Sequence, residues 1–92
     1  MATIKIPTPL RPYTANTAQV EVSGDTVGEA LTNLVTQYPD LRQHLYAGNN
    51  LRNFVNVFLG EEDIRFLDGL ETEIDASTSL RIIPSIAGGT LE

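Results

Sequence analysis

Residues 27–38 carry the one long helical pattern of this chain, and that pattern constrains the fold more than any other feature. Its apolar side chains form a single stripe at helical spacing, made of Val27, Ala30, Leu31, Leu34, Val35 and Tyr38. Thr26 before the stripe and Glu29 three positions later have the spacing of a capping box at a helix start. Pro39 ends the helix, because the residue before a proline avoids helical backbone angles. A helix with one apolar face needs a second layer to cover that face.

Alternating segments on both sides of this helix predict strands that supply the second layer. The predicted strands are residues 2–6, 19–22, 54–59, 64–67 and 80–83, with a short second helix over 40–47 and a rigid irregular connection over 7–13. The first two strands are expected to pair as neighbours, and the first and last strands are expected to lie parallel in the middle of the sheet. This order predicts an α+β roll in which one main helix crosses one mixed sheet.

Composition excludes several classes of function. The chain has 92 residues, the size of one domain, and it has no cysteine, which excludes disulfides, thiolate nucleophiles and cysteine metal sites. Twelve acidic residues against six basic ones give a net charge of −6, which disfavours nucleic acid and anionic membrane and favours a partner with a basic docking surface. No stretch approaches the ~20 apolar residues of a membrane span. Without a secretory signal at the N-terminus, a cytoplasmic protein is expected.

The body of the chain offers no pattern of an enzyme or metal site. His44 is the only histidine, and its position on the short second helix predicts a surface residue rather than a catalytic one. The run 61–63 is acidic, but it lacks the alternating oxygen ligands of a calcium loop, so a solvated turn is expected. Phe54 and Phe58 fall on the strand face opposite its valines. They either cover a second small apolar cluster or form a patch that binds a partner.

The end of the chain, PSIAGGTLE, is the remaining candidate for function. The chain resembles the ubiquitin-like sulfur carriers of the MoaD/ThiS family in four stretches. These are IPTPLRPYT at 6–14, SGDTVGEAL at 23–31, FVNVFLGEEDIRFLDGLETEI at 54–74 and the ending LRIIPSIAGG at 80–89. The resemblance extends over residues 1–89 and is especially marked to carriers that serve cysteine biosynthesis.

This resemblance implies a β-grasp (ubiquitin-like) domain over residues 1–84 and a flexible C-terminal tail over 85–92. It implies a protein co-substrate rather than an enzyme, with no bound cofactor and no metal. An E1-like activating enzyme would use ATP to adenylate the carboxylate of Gly89, and a sulfur donor would convert it to a thiocarboxylate. A synthase would then join the sulfur to an activated serine derivative, and a metallopeptidase is a further expected partner.

Physical reasons support the same assignment of roles within the tail. Gly88 and Gly89 lack a Cβ, so they fit a narrow channel in an activating enzyme. Ala87 keeps the approach to them thin, and Pro84 stiffens the start of the tail. The expected binding residues are Pro84, Ile86, Ala87, Phe54 and Phe58.

Residues 90–92 depart from the family pattern, because active carriers end at the second glycine. The sequence TLE is either a native extension that a peptidase removes or, for Leu91 and Glu92, a cloning scar. Other functions also stay open: the small subunit of molybdopterin synthase, a thiamine sulfur carrier, or a ubiquitin-like interaction module that carries no sulfur.

Overall fold

The computed structural model describes residues 1–48, 50–52 and 55–84. Within these residues the chain forms seven strands: β1 Ala2–Lys5, β2 Gln19–Val22, β3 Tyr46–Ala47, β4 Asn50–Leu51, β5 Val55–Leu59, β6 Glu62–Asp63 and β7 Ser79–Pro84. The α-helices are α1 Val27–Gln37 and α2 Pro39–Leu45, and 3-10 helices span Thr8–Thr14, Ile64–Phe66 and Gly69–Glu71.

Five strands form one mixed sheet in the order β2-β1-β7-β5-β6. β1 and β7 lie parallel at its centre, with Ile4 opposite Leu80, and every other pair in the sheet is antiparallel. The predicted neighbours and the predicted parallel pair are therefore confirmed. The two short strands β3 and β4 pair separately after α2.

The core lies between one face of this sheet and the helices. The sheet contributes alternate residues of each strand, because successive side chains of a strand point to opposite faces. Its buried members are Ala2, Ile4, Val20, Val22, Val55, Val57, Leu80 and Ile82, and the two helices contribute Val27, Ala30, Leu31, Leu34, Val35, Leu41 and Leu45. The apolar stripe predicted for the main helix is thus the face that packs on the sheet, with Tyr38 half-buried at its end.

The predicted cap of α1 is present. The Thr26 hydroxyl accepts the backbone N–H of Glu29 at 3.2 Å, and the Glu29 carboxylate accepts the backbone N–H of Asp25 at 2.8 Å. The return bond reaches one residue further back than in the standard capping box, where it joins the N-cap N–H. Both bonds satisfy donors that no turn of the helix can satisfy.

We expect Thr26→Ala to lower the free energy of unfolding by about 1 kcal/mol, because one backbone donor at the start of α1 loses its acceptor. Thr26→Ser keeps the oxygen and is the matched control. Urea denaturation followed by circular dichroism measures both. Equal losses in the two variants would show that the methyl group, and not the cap, stabilises this site.

Two predicted elements were wrong in type, and the predicted short second helix is present with different bounds. Pro39 does more than end α1: it is the first residue of α2, a position that a proline without an N–H tolerates well. α2 stops at Leu45, and the two residues after it pair with β4. Residues 64–67 do not form a strand, because the Asp63 carboxylate accepts the backbone N–H of Arg65 at 2.8 Å and starts a 3-10 turn.

The other element of the wrong type is the proline-rich connection. It is a regular 3-10 helix rather than an irregular segment. The buried Thr14 hydroxyl lies within hydrogen-bonding distance of the carbonyl oxygens of Arg11 and Thr17, at 3.2 and 3.0 Å. These local contacts close the end of the helix, where the Thr14 side chain is itself buried, and sequence spacing alone does not reveal that burial.

His44 is not the exposed surface residue that the sequence predicted. Its ring stacks on the ring of Tyr13, with the centroids 4.0 Å apart. Its Nε2 atom is buried and has no hydrogen-bond partner among the described residues. His44 therefore joins α2 to the first 3-10 helix by ring packing.

Candidate functional site at the root of the tail

Strand β7 places the root of the C-terminal tail at the centre of the sheet. It is hydrogen-bonded to β1 on one side and to β5 on the other, and its last residue, Pro84, lies opposite Val55. The predicted site residues Ile86, Ala87, Gly88 and Gly89 lie outside the described residues, as does Phe54. Pro84 and Phe58 are the two predicted site residues whose positions the structure gives.

The backbone at Pro84 accommodates a residue without an N–H. Nη2 of Arg65 donates to the carbonyl of Val55 at 3.2 Å, and the backbone N–H of Val55 donates to the carbonyl of Arg52 at 3.0 Å. The pair of Val55 and Pro84 consequently needs no proton from the proline. On the other side, pairing with β1 ends at Arg81, opposite Lys5. A proline in a central strand is acceptable only in such a position.

A tight turn fixes where β7 begins. The carboxylate of Asp75 accepts the backbone N–H and the hydroxyl of Ser77, at 2.9 and 2.7 Å, and the hydroxyl of Thr78 at 3.2 Å. These bonds favour the charged carboxylate, those from Ser77 most strongly, and hold the pKa of Asp75 below its usual value. The turn and the sheet register therefore set both ends of the strand that leads into the tail.

The sheet face turned away from α1 carries the side chains next to the tail root. Across it, Lys5 on β1 neighbours Arg81 on β7, which in turn faces Phe58 on β5. The next row toward the tail pairs Ile83 with Asn56. We call these five residues the open face; two of the six basic residues of the chain lie side by side on it.

Phe58 lies on the open face and does not belong to the main apolar core. It is half-buried, and the guanidinium carbon of Arg81 lies 5.6 Å from the centroid of its ring, a cation–π distance. Arg81 also donates from Nη2 to the carbonyl of Gly60 at 3.3 Å. Ile83 is 39% exposed beside this pair. The role of Phe58 in binding a partner stays a prediction.

Sequence reasoning overlooked two residues near the tail. The position of Ile83 on the open face follows from the alternation along β7, because its side chain must point away from the core if that of Ile82 points into it. The part that Arg65 plays at the tail root left no such signal, because its contact with Val55 spans ten residues and joins a 3-10 helix to a strand. The strand predicted for residues 64–67 gave Arg65 no role at the tail.

The described part of the chain has neither a metal-binding cluster nor a membrane-spanning helix. No group of three or more His, Cys, Asp or Glu side chains in that part of the chain is arranged to hold a metal ion. None of its helices is long and apolar enough to cross a membrane.

Comparison with known proteins then assigns the chain to a family. Residues 4–89 match the model of the ThiS family. The chain belongs to the ThiS family. This ThiS-family chain is 39% identical over 90 residues to the "Sulfur carrier protein CysO" of Mycobacterium tuberculosis, an alignment that covers 95% of this chain and 97% of the relative.

Solved structures agree with this assignment. A chain in the crystal structure of the Amycolatopsis orientalis BexX/CysO complex superimposes with a TM-score of 0.87 at 36% identity, covering 97% of this chain and all of that one. Small archaeal modifier protein 1 of Methanosarcina acetivorans superimposes with a TM-score of 0.85 at 28% identity, covering 96% and 95% of the two chains. The predicted β-grasp, ubiquitin-like fold and the predicted resemblance to sulfur carriers are confirmed.

Proposed function

We propose that this ThiS-family chain carries sulfur for cysteine biosynthesis as a thiocarboxylate on Gly89. The observation that carries the proposal is the extent of the family match, which runs from residue 4 through the Gly-Gly pair and ends at Gly89. The 39% identity to a sulfur carrier protein over nearly the whole chain supports the same role.

The proposed chemistry takes place in partner proteins, with this chain as co-substrate. A carboxylate is a poor electrophile, so an E1-like enzyme first joins the carboxylate of Gly89 to the α-phosphorus of ATP and releases pyrophosphate. A donor that supplies sulfur as hydrosulfide then attacks the acyl carbon and displaces AMP, which leaves the thiocarboxylate and a proton. The chain itself contributes the carboxylate, a thin tail and a rigid handle, and needs no bound cofactor.

The tail must end at Gly89 for this chemistry, because only a terminal residue has a free carboxylate. In the 92-residue sequence Thr90 follows Gly89, so the carbonyl carbon of Gly89 is held in a peptide bond. Removal of residues 90–92, by a peptidase if they are native, therefore precedes activation. Downstream, the thiocarboxylate sulfur would displace the leaving group of an activated serine derivative in a synthase. The acyl group of Gly89 would then move from sulfur to the amine, and a metallopeptidase would hydrolyse the new amide bond to release cysteine.

We assign the docking of tail-binding partners to the open face. Ile83 and Phe58 offer apolar surface within one strand of Pro84, so a partner that encloses the tail meets them first. The known occurrence of a related chain in a complex with BexX supports a protein partner, although that partner is a property of the relative.

The intact mass of the untagged protein from its native host tests the proposal. Under sulfur limitation we expect a species that ends at Gly89 and is heavier than the plain acid by the difference between one sulfur and one oxygen atom. Recovery of only the species that ends beyond Gly89, with and without sulfur limitation, would contradict the proposal.

A second candidate is protein modification, in which Gly89 would form an amide with a lysine of another protein. The likeness to small archaeal modifier protein 1 favours it. It predicts bands of higher mass that react with an antibody against the chain and disappear when Gly89 is deleted from the mature form. The thiocarboxylate species alone, without such bands, would argue for the carrier.

A further inference from the structure

Phe66 is the most exposed large apolar side chain among the described residues. It is 82% exposed, and the neighbouring Leu67 is 36% exposed. Burial of an aromatic ring is one of the largest favourable contributions that a single side chain can make. A ring left in water adds nothing to the stability of this chain, so its position calls for another explanation.

The segment that carries Phe66 is firmly held. Ile64, two residues before Phe66, is buried in the core. The backbone N–H of Leu67 donates to the carbonyl of Ile64 at 2.9 Å. Beyond it, the backbone N–H of Asp68 donates to the hydroxyl of buried Thr72 at 3.1 Å, and that hydroxyl donates to the carbonyl of Gly69 at 2.7 Å. The ring is therefore presented on a fixed support, which lowers the entropic cost of binding.

Negative charge surrounds the ring along the chain. Residues 61–71, which we call the acidic loop, contain five carboxylates and one guanidinium. The carboxylates belong to Glu61, Glu62, Asp63, Asp68 and Glu71. A complementary surface would have an apolar pocket for the ring and lysine or arginine side chains around it.

The acidic loop is also tied to the tail root. Arg65, the residue before Phe66, donates to the carbonyl of Val55, and Val55 lies opposite Pro84. A protein that takes up the tail at Pro84 therefore has the acidic loop close to its own surface. The loop lies at the β5–β6 side of the sheet, where Asp63 pairs with Phe58, so the acidic loop borders the open face.

We propose that the acidic loop is a second docking surface, with Phe66 as its anchor, for the adenylating enzyme. This inference rests on the proposed function. An enzyme that binds the polyphosphate of ATP next to an incoming carboxylate needs cationic side chains around its active site. Such a surface has the charge that complements the acidic loop, and the tail brings the two together.

The test is ATP–pyrophosphate exchange by the purified adenylating enzyme of the same genome, with the carrier ending at Gly89 as the varied substrate. We expect Phe66→Ser to raise KM for the carrier about tenfold or more, because aromatic anchors dominate such interfaces, with kcat unchanged. Phe66→Tyr keeps the ring and should stay close to wild type. Because Phe66 is exposed, the thermal midpoint of Phe66→Ser should equal that of wild type.

The charge of the acidic loop can be tested independently in the same exchange assay. Glu62→Lys should raise KM several-fold, and the rise should shrink at high salt because screening weakens exposed charges. Asp40→Lys makes the same charge change on exposed α2 and is the matched control, expected within twofold of wild type.

The outcomes separate this inference from the proposed function. Suppose that wild type supports exchange but the KM for Phe66→Ser stays within twofold of wild type, or that Phe66→Ser lowers kcat alone. Either result overturns the docking surface and leaves the carrier role intact. Absence of exchange with wild type overturns the carrier role, and the docking surface with it.

Discussion

Valine in place of Gly88, in the form that ends at Gly89, will abolish most of the adenylation of the carrier. We expect kcat/KM for ATP–pyrophosphate exchange to fall about 10²-fold or more, because a displaced reacting group loses the alignment on which the step depends. Valine is branched at Cβ, so it widens the tail next to the reacting carboxylate and restricts its backbone angles. Gly88→Ala should fall between wild type and the valine variant.

Ala76→Val is the matched control for this prediction. It makes a comparable increase in volume at an exposed turn before β7, at the end of the strand away from the tail. We expect exchange within twofold of wild type. If Gly88→Val and Ala76→Val behaved alike, the enzyme would not enclose the tail, and recognition would depend on the folded domain alone.

The largest effect on stability is expected for Leu80→Ala. Leu80 is fully buried on the central strand β7, where it lies opposite Ile4 on β1 and Leu59 on β5. Truncation leaves a cavity that the two neighbouring strands cannot close, so we expect a loss of about 3–5 kcal/mol in the free energy of unfolding. A domain has only about 5–15 kcal/mol in total, so the variant will be close to unfolding.

Ile83→Ala is the control on the same strand. Ile83 is on the open face and 39% exposed, so removal of a side chain of the same size should lower the free energy of unfolding by less than about 1.5 kcal/mol. Urea denaturation of both variants measures the difference. Similar losses in the two variants would contradict the assignment of the core to one face of the sheet.

Much of the fold could be predicted because its signals are local. The stripe of α1 and its Thr26 cap depend on residues within one or two turns of each other. The alternation of β1, β2 and β7 depends on neighbours two positions apart. The errors occurred where a long-range contact or a single hydrogen bond decided the local structure, as at Asp63 and Thr14.

The candidate site divides in the same way. The Gly-Gly pair and the proline before it can be recognised in the sequence, because activation of the tail requires small residues next to each other at one place in the chain. The sequence does not reveal which side chains lie beside the start of the tail. Phe58 was predicted to act together with Phe54, and that pairing stays a prediction; the structure adds a contact with Arg81, a residue on another strand.

By itself, the sequence determined the class of the fold, the buried faces of its main strands and the family that the tail resembles. Periodicity and motif spacing are properties of residues close together in the chain, so these features needed no tertiary structure. Only the tertiary structure decided that Arg65 binds the backbone opposite Pro84, that the open face carries Lys5 and Arg81 side by side, and that Phe66 stays in solvent. These arrangements depend on strand order and register. They follow from how the whole chain buries its apolar surface, and no short stretch of residues encodes them.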